Sequence, residues 1–161
     1  MLSCAKHMIP ATKRLGFAVA VLLSSVLACS VTPVAEGLRP FTTDGCSRFP
    51  DREPIGEGDW CHCCVIHDLA YWRGGTFDER MAADLALKDC VYKASDSKAL
   101  AEAMFAGVRI GGGPKFDTPY RWGYGWPAGR PYKPLTPEED ASAESLRQEY
   151  TRTNPQLSCK K

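Results

Sequence analysis

The chain has 161 residues, 44% of them hydrophobic, and its 20 basic and 19 acidic residues give a formal net charge of +1. This length accommodates one domain with a single core. Lys6, Lys13 and Arg14 supply three positive charges before residue 29, so the remainder carries a net charge of −2, which excludes a protein that binds nucleic acid through its charge.

Residues 1–35 are predicted to be a signal segment. A basic pair precedes 14 apolar or small residues, Leu15 to Ala28, a run that is short for a bilayer span. The four residues ending at Cys29 resemble an imperfect lipoprotein signal, whereas the small residues around Cys29 also suit ordinary cleavage. A retained membrane anchor is the third alternative. We therefore expect an exported domain over residues 36–161, in the periplasm, on the outer surface or in the medium.

Two of the eight cysteines, Cys4 and Cys29, belong to the leader. An even number in an exported chain favours three disulfides, although six cysteines allow 15 pairings. These six are Cys46, Cys61, Cys63, Cys64, Cys90 and Cys159. A zinc site is the less favoured alternative, with ligands from Cys61, His62, Cys63, Cys64 and His67.

Glycines and prolines predict an ordered loop over residues 36–59, in which Asp51, Glu53, Glu57 and Asp59 are interpreted as solvated acids. No Gly or Pro interrupts residues 60–72, so a helix is expected there, ended by Gly74-Gly75. A capping box at Thr76 begins a second helix to about Lys93. Two helices joined by a Gly-Gly turn are expected to pack antiparallel.

A third helix, capped by Asp96 or Ser97, is expected to reach Val108. Residues 116–132 hold six aromatic side chains among Pro and Gly, which indicates an irregular segment. Two interpretations are open. The favoured one is that the segment packs across helix faces, and the other is that it forms a rim that touches lipid. A capping box at Thr136 begins a C-terminal helix to about Tyr150. With no convincing strand, the predicted fold class is all-α.

The segment from Cys61 to Asp68 carries most of the chemically active side chains. Cys64 and Asp68 are four residues apart and share a helix face. If Cys64 bonds to Cys46, Asp44 and Gly45 come within a turn of Asp68. Two carboxylates and a carbonyl then suit a hard cation such as calcium.

Cys63 and His67 are likewise four residues apart, on the neighbouring face of the same helix. If Cys63 bonds to Cys90, Asp84 is carried toward His67, and a histidine oriented by a carboxylate is the usual layout of a general base. A core histidine that merely bonds to Asp84 is the alternative. His62 has no assigned role and is expected to face solvent.

The nine residues from Cys63 to Tyr71, Cys-Cys-Val-Ile-His-Asp-Leu-Ala-Tyr, resemble the signature of the secreted phospholipase A2 family. In that family the His is the general base, the next Asp binds calcium, and the Tyr hydrogen-bonds a distal Asp. That distal Asp lies six residues before the cysteine bonded to the first Cys of the pair, and Asp84 and Cys90 have this spacing. The stretch from Asp44 to Ser47 resembles the calcium loop of the short prokaryotic members.

The resemblance covers roughly residues 41–92 and implies a fold of two antiparallel disulfide-linked helices, to which this chain adds long loops and a C-terminal helix. It implies catalytic roles for His67, Asp84 and Tyr71. Calcium would be held by Asp44, the Gly45 carbonyl and Asp68. The implied disulfides are Cys46–Cys64 and Cys63–Cys90, which leaves Cys61–Cys159 by elimination.

The function that the resemblance implies is calcium-dependent hydrolysis of the sn-2 ester of a glycerophospholipid at a membrane surface. Two departures from the family pattern concern its disulfides and its calcium loop. A further family disulfide has Ala70 and Ala83 at its two positions. The Gly-rich loop of animal members is replaced by a longer, Pro-containing loop from Gly45 to Trp60. This altered loop motivates the alternative function, a non-catalytic lipid- or protein-binding module of the same fold.

Overall fold

The computed structural model describes residues 37–55 and 58–155, and this part of the chain contains four α-helices and no β-strand. The helices are α1 (Cys61–Arg73), α2 (Phe77–Ser95), α3 (Lys98–Gly111) and α4 (Pro137–Thr153). The predicted all-α class is therefore confirmed. Among these helices, none combines the length and apolar character that crossing a bilayer would require. The predicted leader with Cys29, and also Cys159, lies outside the described residues.

Helix boundaries follow the local capping signals. The capping boxes predicted at Thr76 and Thr136 are both formed, with each side chain accepting from the backbone N–H three residues later. Ser97 caps α3, because its side chain accepts from Leu100 N at 3.3 Å. Asp96, the other predicted cap, instead ends α2 in the left-handed region with φ 51°.

Two acidic residues of the loop before α1, which was predicted to be solvated, also accept hydrogen bonds from the backbone, although Asp59 remains exposed. Oδ1 of Asp51 accepts from Cys46 N at 2.8 Å, and Oδ1 of Asp59 accepts from Cys61 N at 3.0 Å. Short acidic side chains commonly satisfy backbone N–H groups in turns and at helix starts. The first bond closes part of the loop on itself, and the second joins the end of the loop to the first residue of α1.

Helices α1 and α2 pack side by side and run antiparallel. The chain turns at Gly74-Gly75 between their near ends, while the Cys63–Cys90 disulfide joins the start of α1 to the last turns of α2 with a Cα–Cα distance of 5.7 Å. Helix α3 packs against α2. The Cys46–Cys64 disulfide ties the preceding loop to α1.

Two of the three predicted disulfides are thus present. Cys61 is disulfide-bonded, but Cys159 lies outside the described residues, so this third pairing stays a prediction.

The aromatic segment, residues 116–132, lies over the C-terminal end of α1. A helix end leaves its last four carbonyls without partners inside the helix, and here each one accepts a hydrogen bond. The carbonyls of Ala70, Tyr71, Trp72 and Arg73 accept, respectively, from Gly74 N at 3.0 Å, Gly123 N at 2.6 Å, Gly125 N at 3.1 Å and the Trp126 indole N–H at 2.7 Å. The segment therefore fixes the end of the helix that carries His67.

The close approach of the aromatic segment explains the Gly-Gly turn after α1. A Cβ on Gly74 would lie 2.9 Å from the Gly123 Cα, and Gly74 has φ 69°. Trp122, Tyr124 and Trp126 are buried against α1, which confirms the packing interpretation for these three side chains. Phe116 remains about half exposed.

Candidate active site

The core of the candidate site is a histidine and an aspartate on two different helices. Nε2 of His67 on α1 lies 2.8 Å from Oδ1 of Asp84 on α2, and the two residues are only 7% and 0% exposed. An ionised carboxylate accepts from Nε2–H and leaves Nδ1 as the basic nitrogen, a tautomer inferred from this bond. No described residue hydrogen-bonds to Nδ1. The antiparallel packing thus brings together two residues that were predicted to meet.

The third predicted residue, Tyr71, lies one turn after His67 and contacts the same carboxylate. Its hydroxyl donates to Oδ1 of Asp84 at 2.8 Å, and the Tyr71 ring is 4.1 Å from that of His67. Burial, together with the negative charge of Asp84, raises the pKa of Tyr71, so the phenol stays neutral. Tyr71 therefore acts as a hydrogen-bond donor that orients Asp84.

Two arginines that sequence reasoning missed complete the surroundings of Asp84. Nη1 of Arg109, on α3, donates to Oδ2 of Asp84 at 2.6 Å. Nε of Arg80 lies 3.7 Å from the same oxygen and donates to the Tyr71 hydroxyl at 3.0 Å. Nη2 of Arg80 also donates to the Val108 carbonyl at 2.7 Å, near the end of α3.

Asp84 remains ionised in this environment although no part of it reaches solvent. Burial alone would raise the pKa of Asp84, but hydrogen bonds from His67, Arg109 and Tyr71 outweigh it and hold that pKa below the usual value. An ionised Asp84 keeps a proton on Nε2 of His67. The i,i+4 spacing of Arg80 and Asp84 on one helix could have indicated the first contact from sequence. Nothing in the sequence indicates the contact of Arg109, which lies 25 residues from Asp84 on another helix.

The predicted metal ligands lie beside this pair, where the loop before α1 reaches the helix. Asp68 is 9% exposed, and its Oδ2 accepts from the Thr43 hydroxyl at 2.6 Å. Oδ1 of Asp44 accepts from the Ser47 hydroxyl at 2.8 Å. Both aspartates line one surface groove, which also includes Thr43 and Ser47. Gly45, the third predicted ligand, follows Asp44 in the chain and has φ 81°, a backbone conformation that favours glycine.

The charge balance of this groove suits a cation. Burial raises the pKa of Asp68 to about 7; the hydrogen bond from Thr43 opposes the shift, and the carboxylates of Asp44 and Asp51 add to it. Among the described residues, no Lys, Arg or His pairs with Asp44 or Asp68. Several oxygen donors with uncompensated negative charge are what a hard cation such as calcium prefers.

His67 and Asp68 both line one cleft, and most of the cleft wall is apolar. It contains about 750 Å³ of empty space, part of it open to solvent. The apolar wall includes Phe49, Leu87, Met104 and Val108, and Gly107, Gly111 and Gly112 leave room along α3. Clefts with mostly apolar walls and a few polar groups are typical binding sites for small molecules.

The zinc alternative is contradicted by the disulfides. Cys63 and Cys64 are bonded to Cys90 and Cys46, so their sulfurs are not available as thiolate ligands. His62 is exposed, as predicted, with Nε2 3.5 Å from the sulfurs of both Cys63 and Cys90. His67 is engaged with Asp84 instead of with sulfur.

No family model, curated protein or solved structure matches this chain. The phospholipase A2 resemblance of residues 41–92 therefore stays a hypothesis.

Proposed function

We propose that the protein is a calcium-dependent hydrolase of phospholipase A2 type, which cleaves the sn-2 ester of glycerophospholipids. The observation that carries this proposal is the pairing of His67 with a buried, ionised Asp84 at the wall of an apolar cleft that Asp68 also lines. The cleft supplies a place for an acyl chain, His67 supplies a base, and Asp68 supplies an anchor for a cation. These are the components that ester hydrolysis by an activated water requires.

In the proposed mechanism, Nδ1 of His67 removes a proton from a water as its oxygen attacks the ester carbonyl. The imidazolium then gives that proton to the leaving glycerol oxygen, so that a fatty acid and a lysophospholipid are released. Asp84 keeps the imidazole in the required tautomer and stabilises its protonated form. Tyr71 and Arg109 hold Asp84 in place from its two oxygens.

Asp44, the Gly45 carbonyl and Asp68 are the groups that would hold calcium. A calcium ion bound there would supply Lewis-acid stabilisation of negative charge on the ester oxygen. The oxygen-rich, negatively charged groove and the raised pKa of Asp68 support this assignment. The short distance along α1 between Asp68 and His67 would place the cation beside the base.

The proposal is tested by fatty-acid release from mixed phospholipid vesicles, with the oxidised mature protein assayed in calcium and in chelator. We expect calcium-dependent release from the sn-2 position, identified by labelling the two acyl chains differently. If correctly oxidised protein releases no fatty acid in calcium, the hydrolase proposal fails. The non-catalytic lipid- or protein-binding module then becomes the better description.

A further inference from the structure

A second groove lies away from the His67 cleft, and its chemistry is different. It contains about 830 Å³ of empty space, partly open to solvent, and shares no lining residue with the cleft. Arg39, Thr118, Arg121 and Asp117 are its polar residues. We call it the arginine groove. Nothing in the proposed hydrolysis uses these four side chains.

Arg121 brings a buried positive charge to the arginine groove. The residue is 3% exposed, and its guanidinium donates to three backbone carbonyls of the aromatic segment. The acceptors are Trp122 O at 3.3 Å, Gly123 O at 2.7 Å and Trp126 O at 2.7 Å. Carbonyls satisfy hydrogen bonds but do not neutralise a charge, and Arg121 forms no ion pair within residues 37–55 and 58–155.

Arg39 adds a second guanidinium to the same groove. Its Nη2 donates to the Tyr124 carbonyl at 2.7 Å, and it too forms no ion pair in the described part of the chain. Burial lowers the pKa of Arg121, and the nearby charge of Arg39 lowers it further, against the opposing effect of Asp117. Two like charges are thus held close together with one exposed carboxylate near them.

Thr118 contributes a buried hydroxyl with no hydrogen-bond partner among the described residues. Buried hydroxyls are nearly always hydrogen-bonded, so an unpaired one needs an explanation. Thr118 lines the same groove as Arg39 and Arg121, and guanidinium groups are the usual donors to phosphate oxygens.

We propose that the arginine groove binds a phosphate group, with Arg39, Arg121 and Thr118 as donors. An incoming phosphate would compensate the two positive charges and accept from the Thr118 hydroxyl. The phosphate could belong to a lipid head group or to a small soluble molecule, since the donors recognise the same oxygens. This site does not depend on the proposed hydrolase activity.

The first arm of the test titrates inorganic phosphate into the chelator-treated protein by calorimetry. Arg39→Gln should weaken binding about tenfold, because it removes a charged donor. Thr118→Val should weaken it severalfold and leave the melting temperature unchanged or higher, since the unpaired hydroxyl is lost. Asp117→Asn should tighten binding by removing a repelling carboxylate. Lys98→Gln, a charge-matched change at an exposed site on α3, should have no effect. Arg121 is not substituted, because it supports the aromatic segment.

The second arm measures co-sedimentation with phosphatidylcholine vesicles, with and without phosphatidic acid, in chelator so that no lipid is hydrolysed. Binding that depends on phosphatidic acid and is weakened by Arg39→Gln identifies a lipid head group as the source. Arg39-dependent binding of inorganic phosphate without vesicle binding identifies a soluble phosphate. The proposal is overturned if neither ligand binds, or if Lys98→Gln weakens binding as much as Arg39→Gln.

Discussion

The guanidinium of Arg109 lies 2.6 Å from Oδ2 of Asp84, so that α3 supplies the counter-charge for the most buried carboxylate on α2. The opposite oxygen of Asp84 contacts His67 at 2.8 Å. Without Arg109, Asp84 would keep only Arg80 as an arginine partner, 3.7 Å from the same oxygen, and a buried charge that loses a partner is destabilised. This relationship makes Arg109 both a structural and a positioning residue.

We therefore expect Arg109→Gln to lower the free energy of unfolding by about 2 kcal/mol, the size of a lost hydrogen bond to a charged group. The matched control is Lys93→Gln, which breaks an exposed pair with Asp89 inside α2 and should cost no more than about 0.5 kcal/mol. Urea unfolding followed by circular dichroism measures both. Equal effects of the two substitutions would contradict the role given to Arg109.

Removal of the Cys63–Cys90 disulfide should destabilise the protein and impair the site. The bond closes a loop with a sequence separation of 27, so the double change Cys63→Ala with Cys90→Ala should cost about 3.5 kcal/mol through the entropy of the unfolded chain. The same change loosens α1 from α2, and with them His67 from Asp84. Urea unfolding tests the first effect, and an unchanged free energy would show that the bond does not hold the two helices together.

The pair of Arg130 with Glu139 should make stability depend on pH in the acid range. Two hydrogen bonds from Arg130, at 2.7 and 2.9 Å, lower the pKa of Glu139 to about 2. Because this folded pKa lies below the unfolded value of about 4.3, the stabilisation is complete above that value and is lost as the pH falls toward 2. Glu139→Gln should remove about 2 kcal/mol of the stability change between pH 5 and 2.

Glu144 provides the control for this pH dependence. Its pKa is also lowered to about 2, by Arg147, but both side chains are nearly half exposed. Solvent screening should therefore leave the acid unfolding profile of Glu144→Gln close to that of the unchanged protein. Thermal unfolding at a series of pH values compares the two variants, and a larger effect of Glu144→Gln would show that exposure does not decide the contribution.

Calcium binding should depend on the carboxylates of the groove beside the cleft. We expect Asp68→Asn to weaken calcium binding at least about tenfold, because a buried anionic oxygen is lost. Asp89→Asn, which changes an exposed carboxylate on α2, should leave the affinity unchanged. Calorimetric titration with calcium measures both, and equal affinities of the Asp68 and Asp89 variants would remove Asp68 from the metal site.

The helices could be predicted from sequence because their ends have local signals. Thr76, Ser97 and Thr136 each cap a helix through contacts within three residues, and such contacts do not depend on the rest of the fold. The contact of His67 with Asp84 was expected from the family resemblance and from one particular disulfide, Cys63–Cys90, and both the contact and the disulfide are formed. The pairing itself came from the family resemblance, because cysteine spacing alone left 15 pairings open.

The parts that could not be predicted depend on contacts between distant segments. Arg109 reaches Asp84 only because α3 packs on α2, and nothing near Arg109 in the sequence indicates this. The aromatic segment was expected to pack, but its backbone and indole donors to the last carbonyls of α1 depend on tertiary placement. The hydrogen bond of Asp51 to Cys46 was missed because a charged loop residue is more often solvated.

The central claim, that Nδ1 of His67 is the general base, is tested most directly by the initial rate of calcium-dependent fatty-acid release from His67→Ala. Near-ultraviolet circular dichroism and disulfide mapping would establish that the variant keeps its fold. A general base contributes a factor of about 10² to 10⁴, so the rate should fall at least about a hundredfold. A folded variant that releases fatty acid at a rate close to that of the unchanged protein would contradict the account.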